Sequence, residues 1–66
     1  MIVDFNLLDH SSRVWIFQSD KIISDDKIDI IKSKLKIFLP NWSSHGKELK
    51  CSFEIKFNLF IIIGVD

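Results

Sequence analysis

Several residue types that build familiar functional sites are scarce in this 66-residue chain. Its single cysteine excludes an internal disulfide and is typical of a protein from a reducing compartment. Its two glycines leave no glycine-rich loop to hold phosphates, and Gly46-Lys47 is followed by Glu48 instead of Ser or Thr. The residues therefore do not predict a nucleotide-binding P-loop.

An excess of one charge sign and a long apolar run are absent as well. Nine basic and nine acidic side chains give a net charge of +0, so no net field attracts nucleic acid or an anionic membrane. The longest apolar run, residues 59–65, is far shorter than the roughly 20 residues of a membrane helix. The first residues carry no basic segment of a secretory signal. We expect a cytoplasmic protein with no nucleic-acid partner and no membrane insertion.

Alanine is missing altogether, even from the segment that we predict as a helix, whereas isoleucine, lysine and phenylalanine are frequent. This bias follows AT-rich codons better than any structural need, and it indicates an AT-rich source genome. The length favours a single small domain, 1–66, which buries only about 60% of the surface of its unfolded chain. The core should accordingly be small.

Residues that could carry chemistry are isolated from one another. His10, His45 and Cys51 have none of the short paired spacings that bring two metal ligands together. Cys51 falls on the apolar face of a predicted strand, where a thiol usually serves in packing. We predict no metal, no cofactor and no catalytic residue. His45 stands at the C-terminus of a predicted helix, so it could cap the helix end as an imidazolium or contact a ligand.

The end of the chain contains two unlike strand candidates. Residues 49–57 alternate apolar and polar side chains, which indicates a strand with one wet face. The members of that wet face are Lys50, Ser52, Glu54 and Lys56. Residues 59–65 are apolar throughout and indicate a strand covered on both faces, joined to the first by a tight turn around Asn58. Residues 13–18, β-branched and aromatic, indicate a second covered strand.

A helix is predicted between the first strand and the last two. Ser24 can cap it, and the apolar side chains that follow fall on one stripe at 100° per residue. These are Ile28, Ile31, Leu35, Phe38 and Leu39. Trp42 continues the stripe beyond Pro40, so we predict a helix over 25–45 that is kinked near Pro40. The alternative is a break, with Pro40 starting a separate turn.

The order strand, helix, strand, strand predicts an α+β fold in which one helix packs on a three-stranded sheet. The covered strand 59–65 should lie in the centre, between 13–18 and 49–57. This β-α-β-β arrangement is part of a ferredoxin-like fold without its last helix and strand. It leaves 13–18 as an open edge, although the composition of that strand is typical of a covered one.

An uncovered apolar strand favours a chain that acts through a partner. Ile30 and Ile37 project from the helix face opposite the main stripe, and they join Val14 and Ile16 as candidate interface residues. Our first hypothesis is a non-enzymatic module, or the truncated remnant of one, that binds a protein partner or self-associates. In our second, Trp42, His45 and Asp66 contact a ligand in a pocket that another chain or a missing segment completes.

Four segments, taken in order and with their spacing, carry a resemblance to a known family. They are Val3-Asp4-Phe5-Asn6, Ser12-Arg13-Val14-Trp15-Ile16-Phe17-Gln18, Trp42-x-x-His45-Gly46 and Phe53-Glu54-Ile55-Lys56-Phe57. With them the chain resembles the N-terminal half of small Bacteroidetes proteins commonly labelled "ABC transporter ATPase". The resemblance implies ATP hydrolysis and a parent about twice as long, which continues into a Ser-Gly-Cys-Ser-like loop and further helices. It also implies an unbroken helix where Pro40 stands here.

Overall fold

The computed structural model describes residues 1–44 and 49–66, and of Ser43 and Ser44 it describes the backbone alone. A single 3-10 turn, Phe5–Leu7, precedes the main elements. These are β1 (Arg13–Gln18), α1 (Asp25–Ser44), β2 (Cys51–Lys56) and β3 (Phe60–Val65). The predicted α+β fold and element order are confirmed. Within the described ranges, no helix combines the length and the apolar character needed to cross a membrane.

The three strands form one sheet in the order β1-β3-β2, with both pairings antiparallel. The prediction that the apolar strand is central is therefore confirmed. Its two neighbours align with it residue by residue, so that Trp15, Ile63 and Phe53 share one row across the sheet. Both C-terminal strands are shorter than the sequence pattern predicts. Leu49 and Lys50 precede β2, and Phe57 and Leu59 lie in the turn between β2 and β3.

The turn between β2 and β3 places two residues in the left-handed region, Phe57 at φ 57° and Asn58 at φ 52°. Asparagine tolerates this conformation better than most residues, which suits a turn position. The Asn58 side-chain amide donates to the Ile23 carbonyl at 3.0 Å and to the Asp25 carboxylate at 2.9 Å. Through these hydrogen bonds the turn stabilises the loop between β1 and α1, residues 19–24.

Helix α1 runs through Pro40 to Ser44, so the continued helix is confirmed and the separate turn is not. Its N-terminus is capped as predicted, because the Lys27 amide donates to Ser24 Oγ at 3.4 Å. Proline removes one helical donor. The Asn41 side chain supplies a donor next to that gap, to the Ile37 carbonyl at 3.1 Å. The predicted last residue, His45, lies outside the described residues.

The core lies between α1 and the β2–β3 half of the sheet. Leu39 and Cys51 are fully buried and contact Val65. Side chains that pack around this centre come from all three strands, from the helix and from the segment before β2: Trp15, Leu35, Leu49, Phe53 and Ile63. The predicted packing role of Cys51 is confirmed. Because these contacts centre on β2 and β3, the helix covers β1 only in part.

The N-terminal segment covers the opposite face of the sheet near β2. Phe5 and Leu8 lie so close to Gly64 that a Cβ there would come within 2.8 Å of Phe5 and 2.7 Å of Leu8. Ser52, which shares a row with Gly64, is buried as a result. The prediction of a wet face is therefore wrong at Ser52, because residues 1–8 shield it, while Glu54 and Lys56 are exposed as predicted.

Candidate functional site

The outer edge of β1 carries a row of backbone groups that point away from the sheet. The Ser19 amide donates to the Leu59 carbonyl at 2.7 Å, so this residue points toward β3. In an antiparallel ladder the backbone N–H and C=O groups of successive residues point to opposite edges of the strand. The backbone groups of residues 13, 15 and 17 therefore point toward β3 as well. The N–H and C=O groups of Val14, Ile16 and Gln18 point outward. No other element of the described residues pairs with this row.

The side chains of β1 are largely exposed on both faces of the sheet. Val14 and Ile16, on the face away from α1, expose 52% and 67% of their surface, and Phe17, on the helix face, exposes 53%. The prediction that 13–18 is a covered strand is wrong for the described chain, because α1 lies mainly over β2. The prediction of an open edge with Val14 and Ile16 exposed is confirmed.

An apolar depression lies between β1 and the C-terminal half of α1, and we name it the aromatic groove. Its volume is about 250 Å³. Its lining consists of Trp15, Phe17, Phe38, Trp42 and Ile63. Trp42 meets Trp15 edge to face with ring centres 5.3 Å apart, and Phe38 stacks on Trp42 at 5.7 Å. Such pairs stabilise one another beyond simple burial, which fixes the shape of the groove.

The place of Trp42 on the apolar stripe of the helix predicts a core residue, but the structure places it at the border of the core. It remains 40% exposed, and the next residue on its flank, Phe38, is exposed to 52%. Both side chains face β1 across the groove instead of entering the packed centre around Leu39. An aromatic pair that is half exposed is available to contact a further molecule.

Ile30 and Ile37 lie on the face of α1 that points away from the sheet, and both are exposed as predicted. Val14 and Ile16 lie on the sheet face opposite α1. The four predicted interface residues therefore occupy two separate sides of the molecule and do not form one surface. Within the described ranges 1–44 and 49–66, the side with Val14 and Ile16 also presents outward backbone groups of a sheet edge, whereas the side with Ile30 and Ile37 belongs to a helix.

Asp66 holds the loop before β1 through its carboxylate. Oδ1 accepts a hydrogen bond from Ser12 Oγ at 2.6 Å and another from the Asp9 amide at 2.9 Å. The bond from Ser12 and then the bond from Asp9 lower the pKa of the Asp66 carboxyl below its ordinary value of 3.8. The structure thus places Asp66 in a loop anchor, while Trp42 lies in the aromatic groove and His45 lies outside the described residues.

A second, more polar depression of about 730 Å³ lies beneath the N-terminal segment. Asp4, Lys36 and Glu54 are the charged residues along its wall. These side chains are exposed to solvent, and no group of three or more metal-ligating side chains occurs in the part of the chain that the structure describes. The depression offers mixed charge without a converging set of ligands.

Sequence patterns identified Val14 and Ile16 on the β1 edge and Trp42 in the aromatic groove, but they did not identify the other residues that line the groove. Alternation within 13–18 puts Trp15 and Phe17 on one face, and the four-residue spacing of Phe38 and Trp42 puts them side by side on the helix. Periodicity does not decide which face of the strand meets the helix, so the strand pair could not be matched with the helix pair.

Comparison with known protein families, with curated proteins and with solved structures found no match to this chain.

Proposed function

We infer that this chain is a protein-interaction module whose β1 edge accepts an extended strand from a partner. One observation carries the inference: β1 presents an unpaired row of backbone donors and acceptors, flanked by exposed apolar side chains. Strand addition to a sheet edge takes its affinity from such main-chain groups and its specificity from the neighbouring side chains.

Among the residues that the structure describes, the β1 edge also lacks the devices that keep strands from pairing. Natural edge strands are protected by inward charges, proline, bulges or a covering segment. Here Arg13 is the only charged residue of β1, at its first position, and β1 contains no proline. Its register with β3 runs unbroken from Arg13 to Gln18, so no bulge bends it away. An apolar edge without these devices favours addition of a further strand.

The aromatic groove supplies a place for the side chains of the added strand. Trp15 and Phe17 project to the same face as the groove, and a strand beside β1 would direct every second side chain toward Phe38 and Trp42. Aromatic residues of this kind contribute most of the binding energy in many interfaces. The proposed site therefore combines a general backbone contact with a specific apolar contact.

The experiment is a titration of the isotope-labelled chain with a synthetic peptide of alternating valine and threonine. We expect amide shifts at Val14, Ile16 and Gln18, and ring-proton shifts at Trp15 and Trp42. The matched control is the same peptide methylated on every backbone nitrogen, which removes all of its backbone donors and should abolish the shifts. Absence of shifts along β1, or shifts confined to Ile30 and Ile37, would contradict the proposal.

A second candidate function is the binding of a small apolar ligand in the aromatic groove. The half-exposed Trp42 favours it. It corresponds to our second sequence hypothesis, a ligand pocket near Trp42 and His45 of this chain that another segment or chain completes. The groove volume of about 250 Å³ lies below the roughly 300–1,000 Å³ of typical ligand pockets, so we rank this function second. A metabolite screen followed by Trp fluorescence, with Trp42→Ala and His45→Ala as controls, tests it. Binding unaffected by either variant would exclude it.

A further inference from the structure

We propose that the strand added to β1 is β1 of a second copy of this chain, related by a two-fold axis at Ile16. This inference rests on the proposed function and names its partner. The product is a continuous six-stranded antiparallel sheet in which the two β1 strands lie at the centre. Both copies of α1 then lie on the same face, because opposite residues of neighbouring strands project to the same side.

The register follows from which residues point outward. Val14, Ile16 and Gln18 carry the free backbone groups and are spaced evenly about Ile16. With the axis at Ile16, Val14 lies opposite Gln18 of the second copy and Ile16 lies opposite itself. All outward donors and acceptors of the strand are satisfied at once, which no shifted register achieves.

The same register brings apolar side chains together on the helix face. Trp15 lies opposite Phe17 of the second copy, and Phe17 lies opposite its Trp15, in the closely spaced type of antiparallel pair. Cross-strand aromatic pairs are among the most favourable in sheets. The two aromatic grooves meet at these pairs, so that Phe38 and Trp42 of each copy flank a single apolar cleft.

The charges of β1 permit this pairing. Arg13 is its only charged residue, and the two-fold axis separates the two copies of Arg13 by about 20 Å along the strands. That separation exceeds the screening length of roughly 8 Å in physiological salt. Each Arg13 comes opposite Ser19 and next to Asp20 of the second copy, so opposite charges are neighbours at both ends of the joint.

The available area indicates a reversible dimer. Phe17, Phe38 and Trp42 each expose about half of their surface, on the order of 100 Å² apiece. With Val14, Ile16 and the strand backbone, the joint covers on the order of 500 Å² per copy, compared with about 800 Å² in a standard stable interface. We therefore expect dissociation constants near about 0.1 mM and a mass that depends on concentration.

The test is sedimentation equilibrium of the full chain between about 10 µM and about 1 mM, a range that spans the expected constant. The mass should rise from 7.7 kDa toward twice that value. Ile16→Lys and Ile16→Glu each place like charges opposite one another at the axis and should weaken dimerisation at least about tenfold. An equimolar mixture of the two variants should restore it, because lysine then faces glutamate.

Ile37→Lys is the matched control, since Ile37 is 70% exposed and Ile16 is 67% exposed. It should dimerise like the unchanged chain, and circular dichroism shows whether each variant is folded. The proposal is overturned if the unchanged chain remains monomeric at the highest concentration. It is equally overturned if Ile37→Lys abolishes the dimer, or if the lysine and glutamate variants fail to rescue each other.

A cysteine at the axis tests the register independently. Directly opposite hydrogen-bonded residues have Cα atoms about 5.5 Å apart, a distance that a disulfide spans. Oxidised Ile16→Cys should form a covalent dimer, whereas Ile37→Cys should not; the reverse result would contradict the register. The native Cys51 is fully buried, so we expect it not to form a disulfide that would be mistaken for one at residue 16.

The peptide titration distinguishes the two proposals. If the peptide shifts the β1 amides while the unchanged chain stays monomeric, the second copy is the wrong partner and strand addition stands. If neither the peptide nor a second copy engages β1, both proposals fail.

Discussion

The two outer edges of the sheet differ in whether another part of the described chain pairs with them. At β2 the N-terminal residues pair with the edge: the Cys51 amide donates to the Met1 carbonyl and the Val3 amide donates to the Cys51 carbonyl, both at 2.8 Å. At β1 no described residue plays that part. Small proteins protect sheet edges against unwanted pairing. This difference is the basis of our proposal that the β1 edge accepts another strand.

The largest expected effect contrasts a side chain of the core with one of the open edge. Leu39 is fully buried, and Leu39→Ala should lower the free energy of unfolding by about 2–5 kcal/mol. Ile16→Ala, measured on dilute monomer, should cost less than about 1 kcal/mol. Urea unfolding followed by Trp fluorescence measures both. Similar costs at the two positions would show that the β1 edge is covered in the monomer.

The next effect tests how the N-terminal segment covers its face of the sheet. Gly64→Ala places a Cβ 2.7 Å from Leu8, and the resulting displacement should cost about 1–3 kcal/mol. Leu8→Ala introduced alongside should recover part of that loss, because it removes the clashing atom. Val14, directly opposite Gly64 in the register, has open surface around it, so Val14→Ile should be neutral. A neutral Gly64→Ala would place residues 5–8 away from the sheet.

A smaller effect opens the protected edge. Val3→Pro removes the amide that donates to the Cys51 carbonyl and should cost about 1 kcal/mol. Ile2→Pro is the matched control. Ile2 lies between Met1 and Val3, and its own amide points away from β2. We expect exchange of the Cys51 amide, which donates to the Met1 carbonyl, to accelerate in Val3→Pro alone. Equal behaviour of the two variants would mean that the bridge contributes no stability.

The smallest effect concerns the loop that leads into β1. The Asp66 carboxyl has a lowered pKa in the folded chain, so its contribution to loop stability is complete above pH 3.8 and is lost as the pH falls through the lowered value. Ser12→Ala removes the shortest hydrogen bond to this carboxylate and should return its pKa toward the ordinary value. Titration of the Asp66 side chain by NMR measures the change. An unchanged pKa would mean that Ser12 does not hold the carboxylate in solution.

The order of the sheet could be predicted because two strands have unlike patterns. The apolar run at 59–65 had to be covered on both sides, and the alternating run at 49–57 had to lie at an edge. The helix could be predicted through Pro40 because Trp42 continues the apolar stripe. These features are local in sequence, so periodicity is enough to detect them.

The features that sequence patterns missed depend on contacts between distant residues. The burial of Ser52 requires residues 1–8 to return across the sheet, which the alternation of β2 cannot reveal. The aromatic groove requires a choice of which strand face meets α1, and β1 is apolar on both faces. The role of Asp66 as a loop anchor requires contacts with Asp9 and Ser12 across most of the chain length. Contacts between residues distant in sequence determine each of these three features, and the spacing of residues along the chain does not predict such contacts.

The most direct test of the open β1 edge is amide hydrogen exchange at individual residues, measured in dilute and in concentrated solution. In dilute solution the outward amides of Val14, Ile16 and Gln18 should exchange rapidly while the inward amides of Trp15 and Phe17 are protected. At about 1 mM the outward amides should become protected as the second copy pairs with them. Equal protection of both sets at every concentration would contradict an open edge that is closed by self-association.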